Sequence, residues 1–301
     1  MAKIISGTDI AKTIRQEIAA DTLAFERQTG VRPGLAVVLV GTDSASQVYV
    51  SMKGKACREI GFESREVLLP EDTPEDELLG VIDGLNADPG MHGMLVQLPL
   101  PKHLDLRRAI ERIDPAKDVD GLHPVNAGRL AAGALDVLAP ATPLGVIEML
   151  IRSGHDPAGK RVVVVGRSNL VGKPVALLLL RQARGGNATV TVAHSRTPDL
   201  GAVTRQADIL IAAAGRASLI TRDMVRPGVV VIDVGTNRLD DPSQKRGYRL
   251  VGDVDFEGVS QVAEAISPVP GGVGPMTITM LLANTLQAAR QIEGAGARAA
   301  R

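Results

Sequence analysis

Tyr49 and Lys53 stand four residues apart in S-A-S-Q-V-Y-V-S-M-K-G-K-A-C-R-E-I-G, a spacing that sets both side chains on one face of a helix. Val48, Met52, Ala56 and Ile60 form a separate apolar stripe, which leaves the pair at the border of the core. A lysine there loses hydration, its pKa falls, and a neutral amine becomes available as a base. A surface lysine resting its stem on a tyrosine has the same spacing. Gln97 is the one polar side chain in the apolar run Met94 to Leu98, ahead of Pro99 and Pro101. Its amide must bond either to backbone or to a ligand, because an unpaired buried polar group costs about 1–3 kcal/mol. Asp118 and Asp120 flank Val119 at a spacing too generic to define a metal site, and His123 suits a loop hydrogen bond better than a ligand role. The run Pro268 to Pro275 joins prolines to Gly271, Gly272 and Gly274, a backbone able to press against a flat ligand.

A second candidate chemistry lies further along. The run Val162 to Val165 is followed by Gly166-Arg167-Ser168-Asn169-Leu170-Val171-Gly172 and then by the helix-like V-A-L-L-L-L. Strand, glycine turn and helix are in the order that brings a pyrophosphate to a helix N-terminus. Ser168 replaces the second glycine of the usual fingerprint and Gly172 falls one position late, so by itself this is equally a structural turn. The next strand, A-T-V-T-V-A, ends in His194-Ser195-Arg196-Thr197 without the carboxylate that would accept a ribose 2′-hydroxyl. Arg167, Ser195 and Arg196 instead offer donors and positive charge suited to the 2′-phosphate of NADP. Gly215, Gly235 and Thr236 at later strand ends would let the nicotinamide ribose come close, although Gly215 also suits an ordinary turn.

The elements that must position these residues read as α/β. Strands are expected at Leu35 to Val40, Arg65 to Leu69 and Met94 to Leu98, with helices from Ser44 to Ile60 and from Pro74 to Asn86. In the second half, R-V-V-V-V-G, A-T-V-T-V-A, A-D-I-L-I-A-A-A-G and G-V-V-V-I-D-V-G recur with helical stretches between them, the pattern of a doubly wound parallel sheet. Lys117 to Thr142 reads as a crossing segment, followed by a helix capped by Thr142 and stopped at Gly154. An apolar helix is expected at Thr277 to Gln287, with a frayed end from Gly294.

With 301 residues and 45% hydrophobic content the chain can fill two cores. Lys plus Arg and Asp plus Glu both total 34, so no broad attraction to nucleic acid or to an anionic membrane is expected. The single Cys57 rules out an intrachain disulfide, and no run approaches the roughly 20 apolar residues that span a bilayer. A cytoplasmic protein is the expectation.

In order along the chain, S-x-x-x-x-Y-V-x-x-K-x-K-x-C from Ser44, G-M-L-V-Q-L-P-L-P, K-D-V-D-G-L-H-P, A-T-P-x-G, V-V-G-R-S-N-L-V-G-K-P and S-P-V-P-G-G-V-G-P-M-T resemble the bifunctional methylenetetrahydrofolate dehydrogenase/cyclohydrolase family. The similarity runs from about Gly7 to Leu286. It implies an N-terminal α/β substrate domain (1–140, completed by 275–301) and a Rossmann-like NADP domain (141–274), with the last helix returning to the first domain. It further implies folate in the cleft between domains, hydride transfer from 5,10-methylenetetrahydrofolate to NADP, and hydrolysis of the methenyl product to 10-formyltetrahydrofolate. By the same resemblance Lys53 moves the proton in hydrolysis, Gln97 positions it, Tyr49 stacks on substrate and Asp120 receives donors of the pterin ring. Val96, Leu98, Pro270, Gly271, Gly272, Val273 and Gly274 would line the substrate, and a homodimer is implied. Ala141 departs from the cysteine often found in this motif, and the segments Arg181 to Asn187 and after Arg238 are longer than the family's, as surface loops would be. A different dehydrogenase of small hydroxy or amino acids, or a non-catalytic NADP sensor, would share only part of this set.

Overall fold

The computed structural model describes residues 1–244 and 247–299, with side chains to Gly294. Strand β1 (Lys3–Ile4) and helix α1 (Gly7–Thr29) come first. They lead into the alternation β2 (Gly34–Val40), α2 (Ser44–Glu59), β3 (Glu63–Leu69), α3 (Glu75–Ala87) and β4 (Gly93–Val96). Three helices follow: α4 (Leu106–Arg112), α5 (Pro124–Ala131) and α6 (Ala141–Arg152). The second alternation is β5 (Arg161–Val165), α7 (Gly172–Leu180), β6 (Thr189–Ala193), α8 (Leu200–Thr204), β7 (Ile209–Ala212) and β8 (Val230–Asp233). The chain closes with β9 (Asn237–Asp240), β10 (Tyr248–Val251), α9 (Phe256–Ser260), β11 (Ala265–Ile266) and α10 (Val273–Ala299).

Two compact units result. One comprises Thr13–Arg129, Asp136–Ala141 and Ile278–Arg301, the other Met1–Lys12, Leu130–Leu135 and Thr142–Thr277. The first is built on a three-stranded parallel sheet ordered β3-β2-β4. Every residue of β2 is buried, as a central parallel strand covered on both faces requires. Val38, Val40, Met94 and Val96 pack with Leu78, Ile82 and Leu85 of α3. The last helix completes this small-sheet unit. Thr279 accepts from Arg15 of α1 at 2.9 Å, and the buried Asn284 amide donates to the carbonyls of Val119 and Ala139, both at 2.8 Å.

The other unit carries a six-stranded sheet ordered β1-β11-β8-β7-β5-β6, parallel throughout, which is the expected doubly wound arrangement. Val163, Val165, Leu210, Val231 and Ile266 fill one side of it. Strand β1 pairs with β11, so the first twelve residues group with this large-sheet unit and not with the substrate domain drawn from the sequence.

Several boundaries differ from the sequence reading for local reasons. The strand before Pro99 ends at Val96, and both Leu98-Pro99 and Val269-Pro270 are cis. Helix α6 starts at Ala141, and the Thr142 hydroxyl bonds that of Thr277 at 2.9 Å instead of capping the helix. The segment after Arg238 is not a loop but the antiparallel hairpin β9–β10, on which the Arg238 guanidinium lies 4.8 Å from the Tyr248 ring. Helix α10 runs on to Ala299 through the end expected to fray, of which residues 300 and 301 lie outside the described residues.

Candidate functional site

Asp43 caps α2, its carboxylate accepting the Ser46 amide at 2.8 Å, and the helix then presents Tyr49 and Lys53 one turn apart. Across from it, the Gln97 amide N–H extends the ladder beyond β4 by donating to the Val38 carbonyl at 2.8 Å. The Gln97 side chain is thereby fixed at a strand end. Its Nε2 donates to the Leu98 carbonyl at 2.8 Å, which leaves Oε1 to accept from Lys53 Nζ, also at 2.8 Å. One end of the amide satisfies backbone, the first of the two alternatives read from the sequence, and the other end holds the Lys53 amine.

Asp120 reaches the same place from the far side of β4. The Lys117 carbonyl accepts from the Met94 amide, and Asp118 bridges in parallel to Met94, so the segment runs alongside the strand. Lys117 is anchored by donating to the carbonyls of Leu85, Asn86 and Asp88 at the end of α3. Asp118 is buried and accepts from the amides of Leu122 and His123 and from the Asn126 side chain. His123 Nδ1 accepts the Val125 amide at 3.0 Å, the loop-bonding role its context suggested. Gly121 turns the chain at φ +70, where a Cβ would lie 2.4 Å from the Pro140 nitrogen.

No donor among the described residues bonds the Asp120 carboxyl. Burial pushes its pKa up, against the pull of Lys53 and with the help of Asp118. Burial likewise lowers the Lys53 pKa from the ordinary lysine range, with Asp120 opposing. Each group is thus driven toward its neutral form by desolvation and toward its charged form by the other. An amine so poised can take a proton from water, and a carboxyl can receive ring N–H donors. Tyr49 is half exposed beside them and Leu98 partly so, while Val96 is buried in the core. Burial pushes the Cys57 thiol, a turn further along α2, up to about 12, so it stays protonated. Among the described residues no cluster of His, Cys, Asp and Glu could hold a metal, and no helix is long and apolar enough to cross a membrane.

The large-sheet unit holds the residues read as a nucleotide site. Gly166 sits at φ +132, and a Cβ there would lie 2.1 Å from the Ala213 carbonyl. Gly172 is as constrained, since its Cβ would meet the Gly166 carbonyl at 2.3 Å. The displaced glycine therefore does the usual work of letting helix and turn pack closely. Ser168 does not merely substitute for glycine: its Oγ accepts from the Val171 and Gly172 amides at the start of α7. At the end of β6, Thr197 and His194 side chains accept from the His194 and Arg196 amides, shaping a turn on which Ser195 and Arg196 are exposed, as is Arg167. A cradle that only glycine fits, a helix N-terminus and two exposed arginines, with no carboxylate paired to them among the described residues, match a phosphorylated dinucleotide.

The Pro270 to Gly274 loop belongs to this unit. The Gly271 carbonyl accepts from the Thr8 amide at 3.1 Å, and a Cβ on Gly7 would lie 1.8 Å from the Gly272 carbonyl. Tyr49, Lys53, Gln97 and Asp120 are thus gathered in one unit, and Pro270, Gly271, Gly272, Val273 and Gly274 in the other. Sequence reasoning missed Asp233 and Asp253, both buried at the carboxyl edge of the large sheet. The signal available was an aspartate closing each of two apolar stretches, V-V-V-I-D and R-L-V-G-D.

A doubly wound sheet with a dinucleotide cradle, joined to a second unit presenting a desolvated lysine, an amide and a carboxyl, defines an α/β oxidoreductase with acid–base capacity. The chain belongs to the tetrahydrofolate dehydrogenase/cyclohydrolase family: residues 5–120 match its catalytic domain and residues 140–293 its NAD(P)-binding domain. It is 57% identical over 293 residues to the bifunctional protein FolD 1 of Myxococcus xanthus, covering 97% of this chain and 99% of that one. The crystal structure of the bifunctional FolD dehydrogenase/cyclohydrolase of Campylobacter jejuni superposes with a TM-score of 0.90 at 46% identity, covering 97% and 100% of the two chains. That of the Trypanosoma brucei enzyme, complexed with NADP cofactor and inhibitor, gives 0.90 at 42% identity, with 97% and 98% covered.

Proposed function

We infer that this chain oxidises 5,10-methylenetetrahydrofolate with NADP and hydrolyses the resulting methenyl form to 10-formyltetrahydrofolate, an interconversion of one-carbon metabolism. The observation that carries the reading is the Lys53–Gln97 hydrogen bond of 2.8 Å on a partly desolvated amine, within the part of the chain that matches the family's catalytic domain.

NADP, when bound, supplies the acceptor for the hydride that leaves the methylene carbon. Gly166, Ser168 and the start of α7 would take its pyrophosphate, Arg167, Ser195 and Arg196 its 2′-phosphate, and Gly215, Gly235 and Thr236 its nicotinamide end. In the second step the Lys53 amine removes a proton from the water that adds to the methenyl carbon, and the C–N bond to one ring nitrogen then breaks as that nitrogen is protonated. Gln97 holds the amine in place, and the cationic methenyl group lowers its pKa further. Asp120 accepts ring donors, Tyr49 stacks on the ring system, and Val96, Leu98 and the Pro270 to Gly274 loop line the substrate.

The reading includes a cytoplasmic homodimer acting on folate derivatives, without nucleic acid. An exposed edge strand supports the pairing: β6 lies at the end of the large sheet with Val192 exposed, and Leu180 is exposed just before it. Light scattering on the eluted protein checks the mass. For the activity, methylenetetrahydrofolate is supplied with NADP or NAD while reduced cofactor, methenyl and formyl products are followed together. The reading expects all three with NADP; reduced cofactor on a hydroxy or amino acid instead, or cofactor binding with no turnover, overturns it.

A further inference from the structure

Asp253 has no solvent exposure, yet it lies directly beneath an exposed loop. Its Oδ2 accepts from the amides of Ala214 at 2.6 Å and Gly215 at 2.8 Å, and its Oδ1 from the amide of Arg216 at 2.9 Å and from Asn237 Nδ2 at 2.9 Å. Three successive amides converging on one anion, with Gly215 in the left-handed region at φ +67, form the kind of nest that elsewhere binds a phosphate. Here the protein's own carboxylate fills it. Asp253 is held in turn by Asp233, whose Oδ1 accepts the Asp253 and Gly235 amides and whose Oδ2 accepts that of Val254, all at 2.9 Å. Ser267 Oγ accepts the Asp233 amide at 2.8 Å. Glycine is required where these carboxylates pass, because a Cβ on Gly252 would lie 1.8 Å from Asp233 Oδ2 and one on Gly235 would lie 2.2 Å from Asp253 Oδ1.

The place of this network in the sheet gives it a role. The pyrophosphate turn follows β5 and the 2′-phosphate turn follows β6 on one side of it, so the other half of a dinucleotide extends over the ends of β7 and β8. Those ends are the segments that Asp253 and Asp233 tie together. Beside Gly215, its chain neighbours aside, no atom among the described residues lies within 4 Å of where a Cβ would point. We propose that Asp253, backed by Asp233 and Asn237, is a positioning residue for hydride transfer: it fixes the 214–216 loop as a rigid platform for the nicotinamide end, without touching the cofactor. This rests on the dehydrogenase reading above. Burial pushes the Asp233 carboxyl up to about 7 against its three amide donors, with the Asp253 charge adding to the rise, which marks how closely the two are confined.

The test compares native enzyme with Asp253→Asn and Asn237→Ala. Dehydrogenase and cyclohydrolase turnover, the KM for NADP, thermal unfolding and the isotope effect from deuterium on the methylene carbon are all followed. An asparagine turns its NH2 toward amide donors and loosens the loop, so dehydrogenase kcat should fall about 10–100-fold, the size of effect that small misplacements of reacting groups produce. The KM for NADP and the cyclohydrolase rate should stay within about twofold, and the isotope effect should rise as transfer becomes limiting. Asn237→Ala removes one donor and should lower dehydrogenase kcat about threefold with an unchanged unfolding temperature; it decides the matter if Asp253→Asn does not fold. Native kcat in folded Asn237→Ala, or a parallel loss of both activities and of NADP binding in Asp253→Asn, overturns the proposal. Absence of dehydrogenase activity in the native enzyme would instead overturn the reading beneath it.

Discussion

In the large-sheet unit Asp253 receives four donors and Asp233 three, all from backbone amides save one. In the small-sheet unit Asp118 is similarly saturated, but Asp120, two residues on, receives none among the described residues, and Lys53 donates to a single amide oxygen. A carboxylate whose oxygens are saturated by amide donors is fixed in space, which suits it to carry a loop. A desolvated group with few bonds changes protonation at small cost and can exchange donors with a ligand. The nucleotide side therefore works through backbone shape, and the lysine side through side chains left incompletely bonded.

If that contrast is right, side-chain removal should hurt most on the lysine side. Lys53→Met deletes the proposed base and should lower cyclohydrolase turnover about 10²–10⁴-fold, the usual worth of a positioned proton acceptor, with NADP binding kept. Hydrolysis at the native rate would remove Lys53 from the chemistry. Asp120→Ala should cost folate affinity about 10–100-fold, because hydrogen bonds to a charged or chargeable group contribute about 1.5–3 kcal/mol. A folate titration identical to native would reject the role, and a loss of NADP binding in the same variant would erase the distinction between the units. Gly166→Ala tests the other side through backbone alone. It forces a Cβ toward the Ala213 carbonyl at a φ disfavoured for any side chain. NADP affinity should fall about tenfold or more, or about 1.4 kcal/mol, with folate binding unchanged.

How much of this was legible beforehand follows the same division. Apolar periodicity placed α2, whose observed span Ser44–Glu59 falls one residue short of the expectation, and it placed β2, β5, β7 and β8 to within three residues. Such runs announce themselves because a parallel sheet buries both faces. Gly166 was legible because its conformation has few alternatives to glycine. The Lys53–Gln97 bond spans 44 positions, and nothing local to either residue points at the other, so only the resemblance of the whole motif set linked them. Asp233 and Asp253 escaped notice because an aspartate after a strand is also an ordinary turn residue, and its partners here are backbone amides that leave no trace in composition. The pairing of β1 with β11 was hidden for a related reason: two-residue strands at positions 3–4 and 265–266 carry no periodicity.

The smallest expected effect is the most diagnostic of the opposing forces on the amine. Desolvation lowers the Lys53 pKa and the Asp120 charge raises it. Because the neutral amine is the base, native kcat/KM for methenyl hydrolysis, corrected for the uncatalysed rate, should climb with pH and level off below the ordinary lysine value of 10.5. Replacing Asp120 by Asn removes the carboxylate charge that favours the ammonium, so the ammonium loses stabilisation and the pKa falls further. The rising limb of Asp120→Asn should therefore sit at lower pH than that of native enzyme, even though its affinity for folate is weaker. A limb that stays put would mean that Asp120 does not interact with the titrating group. A limb that moves to higher pH would run against the loss of a neighbouring negative charge, which lowers the pKa of any group beside it, and the assignment of the base would pass from Lys53 to another residue.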